Sequence, residues 1–137
     1  MFAALCDDDK YITEEIKKLL LEYAKDNRIT IDIDEFESGE ELLNSEKNYD
    51  IIVLDYQLGS TNGLTVAKKL RKRNVLSCVI FLTSYPQFMI DAFEVNTFRF
   101  LLKPIDKSKF FKAIDDYIKI VDANYPITII QNKELKK

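Results

Sequence analysis

The sequence predicts an α/β fold in which five parallel strands form one sheet and five helices cover both of its faces. Three observations carry this. Short apolar runs alternate with longer segments of helical periodicity along the whole chain. The run in "YDIIVLD" is uninterrupted, as expected of a strand buried on both faces, and "SCVIFLTS" reads as another buried strand. At 137 residues the chain is long enough for one domain with a real core.

The elements follow in order. Residues 2–6, "FAALC", read as a short buried strand. Residues 10–26 set Ile12, Ile16, Leu19, Leu20 and Tyr23 on one helical stripe with charges between them. "ITIDIDEF", residues 29–36, alternates Ile29, Ile31 and Ile33 with polar residues and reads as an edge strand. Ser38 followed by Glu41 is a capping box that opens a second helix. The third strand ends at Asp55, and "QLGSTNG" reads as a loop. Residues 64–73 place Leu64, Ala67 and Leu70 inward and a basic face outward, a third helix. After the fourth strand, Pro86 suits the first turn of a helix running to about Glu94. "FRFLL" is the fifth strand, ended by Lys103–Pro104. Phe110, Phe111, Ile114, Tyr117, Ile118 and Val121 recur at helical spacing over residues 107–123. Phe93 and Phe98, with Phe110 and Phe111, are expected in the core. Crossovers between the parallel strands should be right-handed.

Residues 124–137, "NYPITIIQNKELKK", break the alternation. Tyr125–Pro126 marks an interruption, "ITII" reads as a further strand, and the end is basic. The boundaries expected are one domain over 1–122, then a linker and the start of a truncated second domain over 123–137.

Composition excludes several chemistries. The chain has no histidine, which removes serine–histidine triads, cysteine–histidine pairs and histidine metal sites. A bound metal should therefore be hard and oxygen-loving, of the Mg²⁺ or Ca²⁺ type. A net charge of −3 gives no sign of nucleic-acid binding by this segment, and "KKLRKR" (residues 68–73) reads as a solvated helix face. No apolar stretch approaches the roughly 18–20 residues of a membrane span, and no basic region leads into a long apolar run as in a signal peptide. Cys6 and Cys78 lie in strand-like apolar runs and read as buried free thiols of a cytoplasmic protein.

In open parallel sheets, sites form at the carboxyl ends of strands. The polar residues there are Asp7 and Asp8 after the first strand, Asp55 after the third, Thr83 and Ser84 after the fourth, and Lys103 and Pro104 after the fifth. Singly, each has a plainer reading: helix-start acids, a turn cap, a satisfied strand end, a surface lysine. Asp9 keeps its plainer reading as a helix start. Together they make an acidic pocket with one ammonium. Three carboxylates brought within a few Å cannot all stay ionised without a cation. With a hard divalent ion bound, an ionised aspartate can attack phosphorus while the metal and a lysine neutralise the phosphoryl oxygens. That is the chemistry of an aspartyl-phosphate site.

The set Asp7-Asp8, Asp55, Thr83 and Lys103-Pro104 closely resembles the receiver domain of two-component response regulators, over residues 1 to about 122. The resemblance implies a flavodoxin-like doubly wound sheet of strand order 2-1-3-4-5. It implies that Asp55 is the phosphoacceptor and that Asp8 ligates Mg²⁺ directly, with Asp7 in support, Asp55 itself, and the Gln57 backbone carbonyl completing the protein ligands. It further implies that Thr83 is the switch hydroxyl, that Lys103 pairs with the phosphoryl group or Asp55, that Lys103–Pro104 is cis, and that Phe100 stands where the switch aromatic rotates inward. Departures are Gly59, where many receivers carry proline, and Phe100, which lacks the tyrosine hydroxyl. "CDDD", "FLTSYPQFMIDAFEV" and "FRFLLKPID" are similar to receivers attached to LytTR-type DNA-binding domains, and "ITIIQNKELKK" resembles the opening of such a domain.

The expected function is a phosphorylation-controlled switch in transcription control, with a partner histidine kinase as donor; since the chain has no histidine of its own, the donor must be another protein or a small phosphodonor. Similar receivers pair through the fourth helix, fifth strand and fifth helix, so a homodimer on activation is implied, with DNA contacted only through the missing domain. Two alternatives stand beside it. One is a receiver-like interaction or dimerisation module that works without phosphate. The other is a phosphohydrolase using Asp55 as nucleophile; Gln57, two residues on, cannot protonate a leaving group, so no enzyme activity beyond self-phosphotransfer and slow self-dephosphorylation is expected.

Overall fold

Strand β1 (Phe2–Cys6) is central and pairs on either side with β2 (Asp32–Phe36) and β3 (Ile51–Asp55) in the computed structural model, which describes residues 1–59, 61–73, 77–92 and 99–124. Strand β4 (Cys78–Thr83) joins β3, and β5 (Arg99–Leu102) joins β4. All four pairings are parallel, and the order β2-β1-β3-β4-β5 is the flavodoxin-like one. Strand alternation divides the core in two. Leu5, Val53, Ile80 and Leu82 pack with Ile16, Leu20, Phe110 and Ile114 of α1 (Lys10–Asn27) and α5 (Lys107–Asn124). Ile52, Leu54, Val79 and Phe81 face the opposite cluster, with Leu42 of α2 (Gly39–Asn44) and Val66 and Leu70 of α3 (Gly63–Arg73). Two apolar faces leave no polar position inside β3 or β4 before the strand end, which is why these strands read as unbroken runs.

The structure departs from expectation at several points. Strand β2 begins at Asp32 rather than at residue 29. Helix α1 runs to Asn27, Arg28 turns left-handed at φ 56°, and the Ile29 N–H closes onto the Ala24 carbonyl at 2.9 Å. Ile29 therefore enters the core from a helix cap, not from a strand. Ser38 caps α2 by accepting the Glu41 N–H at 3.1 Å, but the Glu41 carboxylate reaches back to the N–H of Glu37, not of Ser38. The loop after Asp55 contains a small antiparallel hairpin, Gln57–Leu58 with Thr61–Asn62. Leu58 is buried there and Gly59 takes φ 64°, which a residue with a side chain rarely adopts.

Pro86 opens a 3₁₀ turn (Pro86–Phe88) that continues as α4 (Met89–Ala92). The expected helix end near Glu94, the core roles of Phe93 and Phe98, and the expected tail break and strand over 125–137 lie outside the described residues. Lys68, Lys69 and Lys72 are solvent-exposed, but Arg71 is half-buried and donates to the Ser77 carbonyl at 2.8 Å. Arg73 donates to the Leu43 carbonyl at 3.0 Å, so part of the basic run ties α3 to its neighbours. Cys6 and Cys78 are free and buried, and burial, with Asp7 beside it, pushes the Cys6 thiol up to about 12. Among the described residues, no helix is long and apolar enough to cross a membrane.

One polar network outside the site has a measurable consequence. The buried Tyr49 hydroxyl donates to Asp34 Oδ2 at 2.6 Å, and Lys47 Nζ meets the same oxygen at 3.0 Å. The Tyr49 hydrogen bond, then Lys47, hold the Asp34 carboxyl below its ordinary value. A lowered folded value means stability that is fully present above the unfolded carboxylate value and lost as pH falls through the folded one. Asp34→Ala is expected to cost about 1 kcal/mol near neutral pH, most of it from the Tyr49 bond because exposed Lys47 is screened. Urea melts at neutral pH and near pH 2 check this: the difference between the two proteins should shrink in acid.

Candidate functional site

The site lies where β1, β3 and β5 end. Asp55 continues the phase of Ile51 and Val53, and Lys103 that of Leu101, so both point to the α1/α5 face of the sheet. Asp7 continues the phase of Ala3 and Leu5 and shares that face. Lys103 Nζ lies 3.0 Å from Asp7 Oδ2 and 3.3 Å from Asp55 Oδ2. All three side chains are largely buried. Each carboxylate is also held by backbone: Asp7 Oδ1 accepts the Asp9 N–H at 2.9 Å, and Asp55 Oδ1 accepts the Gln57 N–H at 3.1 Å. Asp9 itself caps α1 through the Tyr11 N–H, as expected of it.

The charges do not balance. Oxygens of Asp7, Asp8 and Asp55 lie within 4.8 Å of one another, with Asp8 the exposed member. Lys103 supplies a positive charge among them. Asp7 Oδ2 is buried and paired with Lys103 by charge at 3.0 Å, and it has no further hydrogen-bond partner among the described residues. Burial, then the Asp7 charge, raise the Asp55 carboxyl above its ordinary value, while the Gln57 N–H and Lys103 offset part of the rise. Burial works against the Lys103 ammonium, yet Asp7 and Asp55 outweigh it and hold its proton more tightly than usual. An excess of buried negative charge, an all-oxygen donor set and a carboxylate oxygen with no further hydrogen-bond partner together fit a hard divalent cation.

Thr83 and Phe100 occupy the other side of the sheet. Thr83 is buried, and its Oγ1 accepts the Tyr85 N–H at 3.2 Å. Its carbonyl accepts the Lys103 N–H at 2.7 Å, which sets where the chain leaves β5 and so where Lys103 stands. Phe100 is in register with Phe81 and packs half-buried against the α2/α3-side cluster. The Lys103–Pro104 peptide is cis. The structure thus brings Asp7, Asp8, Asp55 and Lys103 together, with Thr83 anchoring Lys103 through backbone and Phe100 lying on the opposite face.

Two further positions bear on the site through contacts that only the structure shows. Gly63, the first residue of α3, donates its N–H to the Tyr56 carbonyl. A Cβ at Gly63 would overlap the Asp55 carbonyl oxygen and lie 2.9 Å from Tyr56 Cα. Tyr56 itself is buried, stacks on Phe88 and bonds Asp91. A glycine ending a loop and an aromatic after a buried strand carry no signal of these contacts.

Residues 3–115 match the family model described as the response regulator receiver domain. "Sensory transduction protein LytT" of Bacillus cereus is 34% identical over 120 residues, covering 87% of this chain and 48% of that protein. "Transcriptional regulatory protein LytR" of Staphylococcus aureus is 31% identical over 115 residues, covering 84% of this chain and 46% of that protein. The chain therefore spans about half the length of these relatives. The response regulatory domain of Klebsiella pneumoniae mrkE superposes with a TM-score of 0.79 at 20% identity, over 90% of this chain and all of that one. TrrA of Thermotoga maritima, solved in complex with Mg²⁺–BeF, gives a TM-score of 0.73 at 26% identity, over 85% of this chain and 97% of that one.

Proposed function

Because the chain belongs to the response regulator receiver domain family, we propose that Asp55 is its phosphoacceptor and that phosphorylation there switches an attached output domain. The observation that carries this reading is the contact of Lys103 with both Asp7 and Asp55, beside a buried Asp7 oxygen that has no further hydrogen-bond partner among the described residues. The donor is the phosphohistidine of a partner histidine kinase. An Asp55 carboxylate oxygen forms the new bond to phosphorus as the bond from phosphorus to the kinase imidazole breaks. Lys103 is placed to neutralise a phosphoryl oxygen while staying protonated. Asp7, Asp8, Asp55 and the Gln57 backbone carbonyl are the groups that would hold Mg²⁺. Bound there, Mg²⁺ would supply charge neutralisation of the phosphoryl oxygens.

The Thr83 hydroxyl, which now accepts the Tyr85 N–H, turns to the phosphoryl oxygen once it is present, and Phe100 rotates inward on its face of the sheet. That rearrangement changes the surface of α4, β5 and α5. Met89, Ile90 and Leu102 expose 43%, 78% and 44% of their surface there, which supports an apolar contact between two activated copies. The output is transcription control through a LytTR-type DNA-binding domain following residue 122, consistent with a chain half the length of its LytT and LytR relatives. The receiver acts in the cytoplasm and catalyses nothing beyond its own phosphorylation and slow dephosphorylation.

Intact-mass analysis after acetyl phosphate and Mg²⁺ tests this. The wild type is expected to gain one phosphoryl group, and Asp55→Asn none, with self-association followed in parallel. A phosphoryl adduct that persists in Asp55→Asn overturns the assignment of the acceptor. A wild type that stays unmodified favours an interaction module that works without phosphate.

A further inference from the structure

Tyr56 follows the acceptor directly, yet its side chain belongs to the α4 region. The ring lies flat on Phe88, with centroids 4.1 Å apart and planes 7° from parallel. Phe88 closes the 3₁₀ turn that leads into α4. The Tyr56 hydroxyl donates to Asp91 Oδ2, on α4 itself, at 2.9 Å. Phe81 of β4 approaches the same ring at 5.8 Å between centroids. The backbone of Tyr56 is held as firmly: its carbonyl accepts the first N–H of α3, and the next N–H, from Gln57, is bonded to Asp55 Oδ1. A single residue therefore connects the peptide that orients the acceptor carboxylate to the helix beyond β4.

These two attachments differ in what they resist. A stacked pair keeps most of its buried area over small lateral offsets, because burial is not directional. A hydroxyl bonded to one carboxylate oxygen tolerates only a narrow range of positions. The bond to Asp91 therefore ties Tyr56 to the observed placement of α4, and Phe88 covers the ring there. We propose that Tyr56 and Asp91 are positioning residues that couple the acceptor loop, residues 56–63, to the placement of α4. The proposal rests on Asp55 accepting the phosphoryl group, and it adds a contact on the β3 side to the Thr83 and Phe100 positions on β4 and β5. Coupling of this kind is reciprocal: whatever shifts α4 changes how readily the site binds, and ligation of the site shifts α4.

Tyr56→Phe, Asp91→Ala and the double variant test the coupling, and none removes a carboxylate from the site. Amide hydrogen exchange of the free proteins, without metal or phosphodonor, is the first measurement. Each single variant is expected to exchange severalfold faster both at residues 57–63 and at 89–92, with the double variant no faster than either. Calorimetric titration with beryllofluoride and Mg²⁺ is the second. Both single variants should change the apparent affinity in the same direction by roughly three- to tenfold, again without addition in the double. Faster exchange confined to α4, additive effects of the two substitutions, or unchanged affinity overturns the coupling. A wild type that binds no beryllofluoride overturns the acceptor reading instead, and the exchange measurement then decides the coupling alone.

Discussion

Lys103→Met is expected to lower the thermal midpoint of the metal-free protein by roughly 10 °C, a loss of about 3 kcal/mol. The lysine is the cation that contacts both Asp7 Oδ2 and Asp55 Oδ2, and all three side chains are largely shielded from water. Its removal leaves two buried carboxylates facing one another. Protonation of Asp55, whose carboxyl is already raised by burial and by Asp7, limits the cost. Two further measurements separate electrostatics from lost packing. Millimolar Mg²⁺ should restore most of the midpoint, since a divalent cation replaces the missing charge and stabilises whichever state binds it. Asp55→Asn introduced into the same background should also restore part of it, because one of the two opposed charges is gone. Phosphorylation by acetyl phosphate should fall roughly a hundredfold even with Mg²⁺ present, because the phosphoryl oxygen loses a fixed positive charge. A variant that melts with the wild type in EDTA would show that the lysine balances no buried charge.

Gly63→Ala is expected to be the most damaging single-methyl addition near the site. The new Cβ would meet the Asp55 carbonyl oxygen, Tyr56 Cα and, at 3.0 Å, the Phe81 ring. Two of these are backbone of Asp55 and Tyr56 and cannot rotate away. Overpacking against backbone should cost about 3 kcal/mol and displace the strand end that carries Asp55. If Asp55 is the acceptor as proposed, chemical phosphorylation should drop at least roughly tenfold, because its carboxylate depends on that backbone for its position. Gly59→Ala is the control. Its Cβ would meet nothing within 4 Å among the described residues, so the strain of φ 64° is the cost added, about 1 kcal/mol, and phosphorylation should be nearly unchanged. Equal effects of the two substitutions on phosphorylation would show that loop mobility, not the close approach at Gly63, governs the site.

Much of this was legible in the residues because it is local. The period of the apolar pattern marks β3, β4, α1 and α5 within a residue or two of their observed bounds, since burial on one face or two leaves its trace in consecutive side chains. Asp7, Asp8, Asp55 and Lys103 could be read as one site because parallel strands deliver their carboxyl ends to a common edge. Pattern alone misplaced the start of β2, since Ile29 is apolar whether a strand or a helix cap buries it. The hairpin after Asp55 was hidden for a similar reason: its two-residue strands are too short to show a period.

By itself, then, the sequence determined the five strands of the sheet, their order along the chain, and which charged residues end them. Only the tertiary structure decided which of those charges meet. Lys103 contacts Asp7 and Asp55 across 96 and 48 residues of chain, and Tyr56 reaches Asp91 across 35. Contacts of that range depend on strand register and on the phase of each side chain at its strand end, and these follow from how the two cores pack against the sheet.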